Sequence, residues 1–295
     1  IFALLRKCRK LDLPIDIQLD LFEKCVAPIL LFGCEVWAHE SLEMCERVQL
    51  RFMKILLKLR KSTSTCMILG ELGKYPLYID ASCRMLTYWY KLSTDEHGSK
   101  KISFVMLRLC RFLYDITDYK FPWLQGVHSL LNNLGLSYIW MFPREAKYSI
   151  DCFKRLIKER LRDQFLQKWK HELSENAFCL NYRLYKETFN FENYLITLPH
   201  RYRMNLLRFR TSNHRMPIQR LRQFNIARDK RVCTLCHSGD VGDEFHYLFK
   251  CLYPPLCEKR SQFLPRYYQH HSNVIKMNQL MNFKSKGKLI KLSKC

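Results

Sequence analysis

Arg231-Val-Cys233-Thr-Leu-Cys236, followed after nine residues by His246-Tyr-Leu-Phe-Lys-Cys251, forms a Cys-x2-Cys-x9-His-x4-Cys array. Two thiols at a tight turn can grip one side of a zinc ion, and a His and a Cys five positions apart can close the other. Three sulfurs and one imidazole fill a tetrahedron and leave no place for water, so the expected ion is a structural Zn2+ and not a catalytic one. Cys233, Cys236, His246 and Cys251 are the expected ligands. His237 could replace His246, and Cys257 could replace Cys251. The His-x4-Cys spacing sets both ligands on one short turn and favours His246 and Cys251. The array predicts a small metal-braced knuckle near the C-terminal end.

The stretch just upstream is strongly basic. Arg201, Arg203, Arg208, Arg210, Arg215, Arg220, Arg222, Arg228, Lys230 and Arg231 face a single acid, Asp229, with Asn213 and His214 among them. A balanced charge run reads as a solvated face, but this one is not balanced, and arginine suits bidentate phosphate contacts. These twelve residues are the expected nucleic-acid contacts, with His214 equally open to a capping or core role. After Cys251 the tail is also basic, and Glu258 is its only acid. Over all 295 residues the formal net charge is +23, which points to a phosphate backbone as partner.

Further upstream, helical periodicity dominates. Hydrophobic residues make up 48% of the chain and only 9 glycines occur, so a sizeable helical core is expected. Pro14 can open a short helix with Ile17, Leu21 and Val26 on its buried face. Ser41 can cap the next, with Glu43 and Glu46 early and Lys54 late, and with Val48, Phe52, Ile55 and Leu59 as its apolar stripe. Ser62–Thr65 reads as a linker and Gly70-Glu-Leu-Gly73 before Pro76 as a turn. Helices follow over about 79–92, 101–114 and 125–135, with a loop at Ser93–Ser99. The spacing of Phe153, Leu156, Ile157, Leu161, Phe165 and Trp169 predicts a long helix over 145–173, while residues 180–197 have no clear order. Trp37, Trp89, Trp123, Trp140 and Trp169 read as core. The fold class is therefore mainly α: a helical bundle followed by a small zinc-knuckle module.

Several functions are disfavoured. The longest apolar run, Cys25–Trp37, is shorter than the ~20 residues a bilayer needs, and Pro28, Gly33 and Glu35 interrupt it. No signal peptide is visible, so a secreted protein is not expected, and the scattered cysteines read as reduced core residues. There is no Asp-Asp pair for two-metal nucleotidyl transfer and no glycine-rich phosphate loop. Neither membrane nor small-molecule partners are expected. The chain opens inside an apolar periodic segment, Ile1-Phe-Ala-Leu-Leu, without Met, and reads as part of a longer protein.

Four stretches then carry a resemblance: Pro28-Ile-Leu-Leu-Phe-Gly-Cys-Glu-Val-Trp37, Gly70-Glu-Leu-Gly-Lys-Tyr-Pro-Leu77, Leu130-Leu-Asn-Asn-Leu-Gly-Leu136 with Trp140, and Leu207-Arg-Phe-Arg-Thr-Ser-Asn-His-Arg-Met-Pro-Ile218 running into the Cys/His array. In order and spacing the chain resembles the C-terminal third of the reverse transcriptase polyprotein of non-LTR (LINE-type) retrotransposons. It departs at Gln219 and Leu221, where that family often carries an acidic residue and a glycine. The resemblance implies a thumb end over 1–62, a helical linker over 63–200, a basic zinc-knuckle segment over 201–256 and a basic tail over 257–295. It implies a role in holding template RNA and target DNA during target-primed reverse transcription, beside an upstream palm, in a nuclear and cytoplasmic ribonucleoprotein. The family's catalytic aspartates and endonuclease lie upstream of the matching region, so no catalytic activity is expected of this chain alone. A reading from another class is a cellular zinc-finger adaptor that binds a protein partner.

Overall fold

Apolar residues at helical spacing form helices along most of the described chain. The computed structural model describes residues 2–94, 101–116 and 121–295. Its longer helices are α1 (Phe2–Lys10), α2 (Glu43–Leu56), α3 (Thr65–Leu72), α4 (Leu77–Thr94), α5 (Ile102–Ile116), α6 (Pro122–Asn133), α7 (Ile150–Glu175), α8 (His200–Arg210), α9 (Pro254–Phe263), α10 (Val274–Met281) and α11 (Lys286–Lys294). Among the described residues the only β pairings are the isolated bridges Leu72–Phe191 and Val232–Val241, so the protein is mainly α. No helix among them is long and apolar enough to cross a membrane.

The chain divides into two units that interleave along the sequence. The first takes the residues up to Leu19, then Arg51–Lys74 and Trp169–Cys295; the second takes Asp20–Leu50 and Tyr75–Lys168. The consecutive segments expected from the sequence do not follow this division, because α2 and α7 each run from one unit into the other. Helix α7 shows how. Phe153, Ile157, Leu161, Phe165, Trp169 and Leu173 are buried at intervals of four. Four residues turn the helix about 40° past a full circle, so this stripe winds roughly 200° along the helix. The boundary between the units falls at Lys168–Trp169, inside the winding stripe.

In the second unit Trp89 stacks on Trp140 with ring centroids 5.6 Å apart. Tyr90 stacks on Phe153 at 4.0 Å, and its hydroxyl donates to the Tyr148 carbonyl at 3.0 Å. Ser41 accepts from Glu43 N–H at 3.3 Å ahead of α2, as expected of a capping residue. Trp123 and Trp37 are half-buried, and each indole N–H is satisfied by a backbone carbonyl, Glu35 and Phe32 respectively.

The first unit is organised around α3, and here the sequence reading needs correction. Gly70-Glu-Leu is not a turn but the end of a buried helix. Gly70 lets aromatic rings reach the helix: a Cβ there would sit 2.7 Å from the Tyr182 hydroxyl and 2.9 Å from the Trp169 ring. The chain turns at Gly73, whose φ of +56° suits glycine and where a Cβ would lie 2.4 Å from the Phe191 nitrogen. Residues 180–197 contain one 3-10 turn and one short helix that bury Tyr182, Tyr185 and Tyr194. Ile17 is exposed, and Ile15 and Leu19 fill the core in its place. The loop expected at Ser93–Ser99 begins at the end of α4 and otherwise lies outside the described residues.

Candidate metal centre and basic groove

A small hairpin presents the first two cysteines. Val232 bridges Val241, Cys233 N–H donates to Asp240 O at 2.8 Å, and Gly242 N–H donates to Arg231 O at 2.9 Å. His237 and Gly239 make the return with φ of 53° and 79°. Gly242 permits close packing, since a Cβ there would lie 3.1 Å from Cys233 Cα and 3.0 Å from Pro217. The next helical turn carries His246. Its N–H is capped by the Asp243 carboxylate at 3.0 Å, and Cys251 follows as the turn ends.

The ligand atoms of Cys233, Cys236, His246 and Cys251 all lie within 4.8 Å of one another. The sulfurs of Cys233 and Cys251 are 3.8 Å apart, and Cys236 Sγ is 3.3 Å from His246 Nε2. Two Zn–S bonds of about 2.3 Å at the tetrahedral angle span about 3.8 Å, so the four residues fit a metal ion of that size. His246 Nδ1 is buried without a hydrogen bond, and the Asp240 carboxylate stands 3.7 Å from it. A carboxylate behind a ligating imidazole is a common outer partner of a metal. The Ser238 hydroxyl, 3.3 Å from Cys236 Sγ, holds that thiol down at about 5, towards the thiolate that ligates metals. Burial pushes the Cys251 thiol up to about 11. His237 and Cys257 are exposed and stand outside this cluster.

Glu244, two residues before His246, ties the knuckle to the helices. Its buried carboxylate accepts from Ser212 Oγ at 2.6 Å, from the Asn181 amide, and from the His214 ring, whose Nε2 is 2.8 Å away. Burial alone would raise its pKa, but the His214 contact and the Ser212 hydroxyl prevail and hold it at about 2. The other His214 nitrogen accepts from Met216 N–H at 3.3 Å. Both ring nitrogens are therefore engaged within the protein, and His214 is a structural clamp, not a free reader of nucleic acid.

The arginines separate by depth. Arg210 is wholly buried: its Nε and Nη2 reach Glu71 Oε1 at 3.0 and 2.9 Å, and its Nη1 donates to Met281 O at 2.9 Å. The guanidinium lies 4.9 Å from the Tyr185 ring centroid and 5.3 Å from that of Tyr194. It has no surface left for a phosphate, which removes it from the expected contacts. Asn213, only 8% exposed, is likewise off the open surface. Arg203 donates to Leu195 O at 2.9 Å, and Arg231 joins Ile226 O and Ile218 O at 2.8 and 3.1 Å. Arg228 pairs with Asp243 at 2.8 Å, and Arg222 stacks over Phe178. Arg201, Arg208, Arg215, Arg220 and Lys230 are exposed.

Arg208 and Arg215 line a cavity of about 740 Å3 together with Lys58, Arg60, Lys259 and Lys294. Among the described residues no Asp or Glu side chain lines it. Four of these six cations lie outside the arginine-rich stretch. Their only trace in the sequence is the basic segment just after α2 and the basic tail, whose convergence requires the fold. No family model, no curated protein and no solved structure significantly matches this chain.

Proposed function

We propose that this chain is the nucleic-acid-binding C-terminal part of a non-LTR retrotransposon reverse transcriptase, braced by one structural Zn2+. In this reading it holds template RNA and target DNA and works with an upstream polymerase palm in a nuclear and cytoplasmic ribonucleoprotein. The observation that carries the reading is the cavity lined by Lys58, Arg60, Arg208, Arg215, Lys259 and Lys294, with no Asp or Glu side chain among its described lining residues. Six cations around one concavity concentrate positive potential where a phosphate backbone can lie. The Cys233–Cys236–His246–Cys251 cluster supports it, because Glu244 connects the ion-holding turn to the loop that follows Arg208 and Arg210. Bound Zn2+ would supply rigidity and no reactive water.

A protein-binding adaptor is favoured by one observation: Ile102, Val105, Met106, Leu109, Phe112 and Ile116 are exposed on α5. Fluorescence anisotropy of a labelled single strand across a salt series separates the readings. Phosphate binding weakens steeply with salt. Affinity that is absent, or flat with salt, would exclude the nucleic-acid reading and leave the adaptor.

A further inference from the structure

Helix α5 is apolar on two opposite sides. Phe104 and Leu107 are buried, and Tyr114 on the same side packs edge-on to Trp140, with ring centroids 5.6 Å apart. On the opposite side Ile102, Val105, Leu109, Phe112 and Ile116 are 47–81% exposed. A helix apolar all round belongs inside a core, yet half of this one faces solvent. The exposed residues step along the chain by three, four, three and four positions. That is the a/d spacing of a coiled-coil seam, narrower than the stripe that packs a helix onto a globular core. In this register Arg108 and Asp115, both exposed, take the g positions, and Met106 and Leu113 take the e positions.

We infer that α5 pairs with the α5 of a second copy of this chain, antiparallel, in a short coiled coil. Charge selects both the occupant and the direction. Setting Leu109 opposite Phe112 of the second copy also sets Val105 opposite Ile116, Arg108 opposite Asp115, and Met106 opposite Leu113. A two-fold axis repeats every contact, so one sequence supplies both members of two ion pairs and of two apolar flanks. A parallel pair would set the Arg108 guanidinium beside the apolar Leu113. Within its own chain Asp115 attracts Arg111, whose guanidinium lies 4.2 Å from the Trp140 ring centroid; a carboxylate has room for a second donor. A hollow of about 400 Å3 beside Phe112, lined by Arg108, Asp115 and Arg144, has space for the partner's flanking side chains. The helix is already formed, so pairing carries no cost of ordering it. Its 15 residues make about two heptads, which sets a modest affinity. The inference does not depend on the reading of the basic groove.

Sedimentation equilibrium of the nuclease-treated full chain, loaded with Zn2+, tests this. The mass should rise from 35.7 kDa towards twice that value as concentration increases. Leu109→Glu places a carboxylate in the seam and should keep the chain monomeric. The side chain it replaces is 47% exposed, so this variant should melt as dilute wild type does. Arg108→Glu and Asp115→Arg each bring like charges together at both flanks, and each should weaken dimerisation roughly tenfold. An equal mixture of these two variants joins opposite charges at both flanks and should associate nearly as wild type does. A chain that is monomeric at every concentration overturns the inference and leaves the α5 face to a different protein. A dimer that Leu109→Glu leaves intact overturns it as well. Dimers that neither charge reversal weakens, or that mixing does not restore, overturn the antiparallel register and with it the charge argument for a second copy.

Discussion

Arg210→Met should unfold the first unit far more readily than it affects any ligand. In the native protein the Arg210 guanidinium donates to both Glu71 oxygens, at 3.0 and 2.9 Å to one and 3.2 Å to the other, with both side chains fully buried. Glu192 lies 3.4 Å from the same guanidinium. Methionine restores much of the volume but strands the Glu71 carboxylate with the Tyr194 hydroxyl as its remaining side-chain donor. Removing one member of a buried pair costs about 3–5 kcal/mol. That is a large part of the ~5–15 kcal/mol that holds a domain together, and it corresponds to a fall in melting temperature of roughly 6–20 °C. The companion variant Glu71→Leu/Arg210→Met removes both charges and should recover most of the loss, giving a strongly non-additive cycle. Urea denaturation followed by circular dichroism reads both. The reasoning is refuted if Arg210→Met loses less than ~1 kcal/mol while nucleic-acid affinity falls, the behaviour of an exposed phosphate contact.

Other expectations are as direct. The purified chain should carry one zinc per molecule, released by Cys233→Ser or Cys251→Ser but retained by His237→Ala and Cys257→Ser; a metal assay in which Cys257→Ser loses the ion would reassign the ligands. Chelation should lower the melting temperature, because ligand binding and local folding are one equilibrium, and no change on chelation would contradict a structural ion. Gly73→Ala should destabilise more than Gly70→Ala: its Cβ meets backbone at 2.4 Å at positive φ, whereas that of Gly70 meets side chains at 2.7 and 2.9 Å. Equal melting temperatures for the two variants would show that the Gly73 turn is not tight. With Mg2+ or Mn2+ the chain should extend no primer and cut no DNA, and incorporation lost on mutating one of its carboxylates would be the contrary result.

Periodicity made the helices legible. The apolar stripe from Phe153 to Trp169 marks α7, and the residues from Ile79 to Leu92 mark α4, because both patterns depend only on neighbours a turn apart. The Cys/His cluster that could hold a metal ion was legible for the same reason, since two of its pairs are local and their spacing is set by turn geometry. Depth was not legible. Arg210 and Arg208 are two residues apart on one helix, yet one is sealed against Glu71, 139 positions upstream, and the other lines the groove. Gly70-Glu-Leu-Gly73 has the composition of a turn, but the aromatic rings of Trp169 and Tyr182 cover it and make it a buried helix end. The groove draws on cations from the segment just after α2, from the arginine stretch and from the tail, and no local pattern joins those three segments.

The most direct test of the central claim is the salt dependence of single-strand binding by wild type and by Lys58→Gln/Arg60→Gln/Arg208→Gln/Arg215→Gln. These four side chains line the groove and bear no metal ligand. Each phosphate contact to a single strand contributes about 0.7 to the slope of log K against log salt, so four lost contacts should flatten it by about 3. Zinc content and melting temperature should stay as in wild type. An unchanged slope and affinity in the quadruple variant would contradict the account, for then the basic cavity is not where nucleic acid binds.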